Sequence, residues 1–102
     1  MAKDQVTIIK CVTKTANYTA FAGEFVRADT TSGGITITLP DATLSENRQI
    51  IVKKISSDNN TVIVATTNSQ NIDSSTSATT ALITVKGMSL VFLSNSVSWD
   101  IV

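Results

Sequence analysis

The sequence predicts an all-β fold, an antiparallel β-sandwich or barrel of jelly-roll-like pattern, and three observations predict it. The first is strict alternation in Ile35-Thr36-Ile37-Thr38-Leu39, apolar and polar in turn, the period-two signature of a strand with one buried face. The second is punctuation. Gly33-Gly34 ahead of that run supplies the positive φ of a tight turn, and Pro40 behind it removes a backbone donor and ends the ladder. The third is repetition of the pattern: about eight to ten short strand-like runs, separated by turn residues, fill the chain.

Taken in order, residues 1–17 read as an N-terminal arm with the first strand, and 18–102 as the β-module. Gln5–Thr13 is a strand with Val6, Ile8 and Lys10 on one face and Thr7, Ile9 and Cys11 on the other; apolar groups on both faces predict that both are covered, one by another chain. Tyr18 and Phe21 are expected to anchor the mixed stretch Thr15–Ala22, and Glu24–Asp29 is the next strand. After Ile35–Leu39, Asp41–Asn47 is the one helical turn, too short to count as a helix. Arg48–Ser56 is a strand with Ile50, Val52 and Lys54 on one side and Ile51, Lys53 and Ile55 on the other. The cluster Ser57-Asp58-Asn59-Asn60 turns it into a hairpin with Thr61–Thr66.

Thr67–Thr80 is polar and long. It reads either as a surface loop or as holding one short strand around Asn71–Ser74, with Ile72 pinning it to the core. Ala81–Lys86 and Met88–Asn95 flank a tight turn at Gly87. Val97–Val102 closes the chain after a turn at Asn95-Ser96, with Trp99 filling the end of the core and its indole N–H in need of a partner.

Composition narrows the function. Of the 102 residues, 16% are charged, and the formal net charge is zero. Nucleic acid is therefore not the expected partner, because phosphate neutralisation needs many Lys and Arg. The chain contains no histidine and one cysteine, which excludes Cys/His zinc sites and the Ser-His-Asp and Cys-His arrangements. Asp29, Asp41, Asp58, Asp73 and Asp100 lie beside turns and show no facing pair suited to acid–base work, so neither an enzyme nor a cofactor is expected. Cys11, with Ile9 and Val12 near it, is expected to be a small buried hydrophobe. Neither a membrane-spanning helix nor a signal peptide is read from the sequence, and no membrane partner is expected. Lys3, Lys10 and Lys14 make the arm mildly basic, either as a solvated segment or as a dock for an acidic neighbour.

Asp29-Thr30-Thr31-Ser32-Gly33-Gly34-Ile35-Thr36-Ile37-Thr38-Leu39-Pro40-Asp41-Ala42 resembles a segment of small β-modules in tailed-phage virion proteins: capsid decoration (cement) proteins, head fibres and tail-fibre tips. The likeness continues through the basic strand Ile50-Ile51-Val52-Lys53-Lys54-Ile55, the Asn60-Thr61-Val62 step, Asn71-Ile72-Asp73 and Ser98-Trp99-Asp100-Ile101, and so spans residues 18–102. The resemblance implies a virion structural protein, assembled in the host cytoplasm, that forms a homotrimer and contacts the major capsid protein or another virion protein. Only some 17 residues precede the module, which favours a decoration protein that clamps the outer head shell, with Lys3, Lys10 and Lys14 as capsid or neighbour contacts. The alternative is a tail-fibre or baseplate tip that binds a host receptor or glycan through Ser69, Gln70, Asn71, Ser75 and Thr76.

Overall fold

The computed structural model describes residues 10–73 and 78–102. Among the described residues, nine strands form two sheets: β1 (Lys10–Lys14), β2 (Tyr18–Thr19), β3 (Glu24–Ala28), β4 (Ile35–Thr38), β5 (Gln49–Lys54), β6 (Val62–Ala65), β7 (Thr80–Ile83), β8 (Ser89–Ser94) and β9 (Trp99–Ile101). The first sheet has the order β1-β3-β5-β8-β9 and the second β2-β4-β6-β7. Both sheets are open, so the barrel alternative does not hold.

The chain alternates between sheets at every strand from β1 to β6, and each return lies parallel to the strand before it. β1, β3 and β5 are parallel neighbours, as are β2, β4 and β6. Only the last third is antiparallel: β7 on β6, β8 on β5 and β9 on β8. The all-antiparallel, jelly-roll-like expectation is corrected here to two mixed sheets. Alternation fixes which face of a strand is buried, but a turn cluster serves a corner between sheets as well as a hairpin. The expected hairpin of Arg48–Ser56 with Thr61–Thr66 fails for that reason: β5 and β6 lie in different sheets.

The core is what the two inner faces share. Val26, Ile50, Val52, Phe92 and Trp99 from the first sheet meet Ile35, Ile37, Val62, Val64 and Ile83 from the second, all buried. Trp99 closes one end as expected, its Nε1–H donating to Pro40 O at 3.1 Å. Ile72 is buried and bridges to Trp99, so the long polar segment is pinned where the sequence placed the pin. Asp41 caps a single 3₁₀ turn, Ala42–Leu44, by accepting from Thr43 N. Two residues differ from expectation. Phe21 is exposed on the β2–β3 connection instead of anchoring it, and Cys11 is exposed because β1 is an edge strand that turns it to the outer face.

The corners explain the paired glycines. Gly33 takes φ +145°, a conformation that side chains rarely adopt. A Cβ on Gly34 would come within 3.1 Å of Thr61 O, because the β3–β4 corner stacks on the β5–β6 corner.

Candidate functional site

Lys54 ends β5 in the same register as Ile50 and Val52, so its side chain enters the core, where it is fully buried. Its Nζ donates to Thr30 Oγ1 at 2.7 Å and to Asp58 Oδ1 at 3.0 Å. Thr30, also fully buried, donates from Oγ1 to the same Asp58 oxygen at 2.6 Å, and Ser56 Oγ accepts from Thr30 N at 2.9 Å. Asn60 completes the cluster, with its N–H donating to Asp58 Oδ1 and its amide donating to Thr30 O, both at 2.9 Å. One cation therefore gathers the β3–β4 and β5–β6 corners. The Ser56 and Thr30 hydroxyls, with lesser help from Lys54 and the Asn60 N–H, hold the Asp58 carboxyl well below the usual carboxylate range, outweighing its desolvation. Asp58 Oδ2 is buried with no hydrogen-bond partner among the described residues.

This cluster is a clamp in its chemistry. An ionised carboxylate is a poor electrophile for the neighbouring amine, and the Thr30 hydroxyl is spent between the two charges. The sequence reading gave Asp58 a turn role and gave Thr30 none. The available signal was Lys54 itself, a charge in an apolar register, which demands a partner.

Beside these corners, Thr15, Ala16 and Asn17 face Ser32, Gly33, Gly34 and Ile35 across a shallow open cleft of about 250 Å³. None of these side chains is charged. Asn17 Oδ1 is occupied by Thr36 N at 2.8 Å. Among the described residues, no group of three or more His, Cys, Asp or Glu could hold a metal ion.

The basic arm residues separate. Lys3 lies outside the described residues. Lys10 is exposed at the start of β1. Lys14 turns its ammonium over the Tyr18 ring, 4.2 Å from the centroid. Tyr18 in turn donates to Glu24 at 2.9 Å, and its pKa is raised by desolvation first and by Glu24 second.

The receptor-loop candidates separate as well. Ser75 and Thr76 lie outside the described residues. Ser69 is exposed, whereas Gln70 accepts from Ala42 N at 2.9 Å and donates to Asp41 Oδ1 at 2.7 Å, and Asn71 O accepts from Trp99 N at 3.1 Å. Gln70 and Asn71 thus bind this segment to the rest of the fold.

The outer face of the first sheet carries a feature that its strand order creates. Register places Cys11 beside Phe25, Phe25 beside Ile51 and Ile51 beside Val91, and Val102 N donates to Val91 O at 2.9 Å. One apolar row therefore crosses the whole sheet, with Phe25, Ile51 and Val91 half-buried and Cys11 and Val102 exposed. Arg27, in the adjacent row, is exposed and donates to Thr13 Oγ1 at 3.1 Å. The chain has no significant match to any protein-family model or any curated protein.

Proposed function

We propose that this protein is a structural component of a phage virion, a capsid decoration protein that binds the outer head shell as a homotrimer and stabilises it. The observation that carries the reading is the apolar row on the outer face of the first sheet. Copies of the chain that bury this row against one another would remove apolar area from water. Covering about 300 Å² of it contributes roughly 7 kcal/mol before the costs of association. The clamp at Lys54 supports a mechanical role, since the charges and hydroxyls that might do chemistry are engaged in holding corners together. In this reading Lys10 is free to meet an acidic neighbour, while Lys14 is committed to Tyr18.

Sedimentation of the full chain at micromolar concentration tests the assembly. A trimer that Ile51→Lys converts to monomer is the expected result, and a wild-type monomer overturns it. Binding to empty shells, with increased resistance of the shells to heat or chaotrope, tests the decoration role. Attachment to host cells that changes with substitutions between Ser69 and Thr80 would instead support the fibre-tip alternative.

A further inference from the structure

The two sheets have four edge strands, and among the described residues three of these edges are blunted against pairing with another chain. β1 carries Lys10 and Lys14, and charge on an edge opposes such pairing. β2 is two residues long. β9 is covered, because Trp99 N donates to Asn71 O at 3.1 Å and Asp73 N donates to Trp99 O at 2.8 Å. β7 has none of these guards. From Ala78 to Val85 the chain contains no charge, no proline and no glycine.

The bonds between β7 and β6 show which backbone groups of β7 face outward. The two strands are antiparallel, with Ile63 opposite Leu82 and Ala65 opposite Thr80. One step further along that register, Thr66 N donates to Thr79 O at 3.0 Å. Hydrogen-bonded and non-hydrogen-bonded pairs alternate in an antiparallel ladder, so Thr79, Ala81 and Ile83 spend their backbone groups on β6. Thr80 and Leu82 turn theirs to the open edge, and Thr84 continues the pattern. The Leu82 side chain stands on the outer face, 57% exposed, beside Ile63.

We propose that this edge pairs with the same edge of a second copy of the chain, antiparallel about a two-fold axis at Leu82. The two Leu82 residues then form the central hydrogen-bonded pair, and Thr80 of each copy exchanges bonds with Thr84 of the other. Thr opposite Thr is a favourable cross-strand pair. Ile63 and Leu82 of both copies join into one apolar strip across the seam. The charges agree with self-pairing. No charged residue opposes another, because Lys86 falls opposite Ala78. The β1 edge of a second copy fits less well, since Lys10 and Lys14 would find no carboxylate along β7. Two strands of this length bury less than the roughly 1,200 Å² of a stable interface, so the pair is weak and forms above about 100 μM. The contact lies on the second sheet and is separate from the apolar row on the first.

The test is made on the Ile51→Lys chain, which removes the row on the first sheet, so that either assembly can fail without the other. Sedimentation between about 10 μM and about 1 mM shows a monomer–dimer equilibrium. Leu82→Lys and Leu82→Asp each weaken it about tenfold, by placing like charges opposite one another. An equimolar mixture of the two variants restores it, because residue 82 meets its own equivalent. The proposal is overturned by a parent chain that stays monomeric throughout, by single variants that dimerise as the parent does, or by a mixture that does not recover. Amide exchange gives a second readout: the Leu82 N–H exchanges about fivefold more slowly at the high concentration than at the low one. A rate that does not change with concentration, or full protection already present in the dilute monomer, overturns the proposal as well.

Discussion

Thr30→Val removes one hydroxyl and keeps the shape of the side chain, which makes it the sharpest probe of the clamp. In the native protein that hydroxyl accepts from Lys54 Nζ at 2.7 Å and donates to Asp58 Oδ1 at 2.6 Å, and Thr30 has no access to water. Hydrogen bonds to charged groups contribute about 1.5–3 kcal/mol each, and stranding a buried donor adds its desolvation. Asp58 keeps some contact with solvent, with 21% of its side chain exposed, so its bond counts for less. The expected loss is about 3 kcal/mol, against a total stability of about 5–15 kcal/mol for a domain of this size. Urea denaturation at pH 7 measures it directly, and thermal unfolding shows it as a fall in Tm of about 15 °C. Thr30→Ser keeps the hydroxyl and loses only a methyl, so its cost is about 1 kcal/mol. In a Lys54→Met background no buried cation is left to strand, so Thr30→Val costs less than in the native chain, and what remains is the lost bond to Asp58. The reasoning is refuted if Thr30→Val matches wild type at pH 7, or if Thr30→Ser is the more damaging change.

The remaining predictions concern acid, a corner, a thiol and the end of the core. The Asp58 carboxyl is depressed in the fold, so its stabilisation is complete above its ordinary value of 3.8 and is lost as pH falls through the folded value. Urea curves from about pH 5 to pH 2 therefore show a fall in stability that Asp58→Asn reduces. Gly33→Ala costs about 1–3 kcal/mol through φ alone, since nothing lies within 4 Å of its Cβ. Thermal denaturation of that variant beside Gly34→Ala, whose Cβ would meet Thr61 O, separates backbone strain from contact. Cys11 in the native protein reacts with a thiol reagent at a rate within about tenfold of the urea-unfolded chain, as an exposed edge-strand thiol should. Trp99→Phe leaves Pro40 O without its indole donor and costs about 1–3 kcal/mol by urea denaturation.

What was legible in the sequence follows the range of each signal. Alternation is a local property, so the strand at Ile35–Thr38 and its buried Ile35 and Ile37 were readable, as were Trp99 and Ile72 in the core. Pairing is not local. The residues at Ser57–Asn60 break a strand in any topology, and nothing in them states whether the chain doubles back beside β5 or crosses to the other sheet. Edge position was hidden for the same reason. Cys11 has Ile9 and Val12 near it in sequence, yet β1 has one strand beside it among the described residues, and Cys11 is exposed on that edge.

Lys54 shows how far the local signal reaches. The period of two places it with Ile50 and Val52, so a lysine on the core face was already visible. Burying that cation requires an anion and further polar partners. Asp58, four residues on, was the nearest carboxylate in the sequence, but turn chemistry accounted for it equally well. The third partner, Thr30, lies 24 residues upstream and becomes adjacent only because β3 and β5 are parallel neighbours whose ends coincide. An antiparallel pair would have put the end of β5 opposite the start of β3, away from Thr30. The clamp therefore depends on the parallel order, because in this topology the corners that carry the chain between the sheets also neutralise the charge that β5 drives inward.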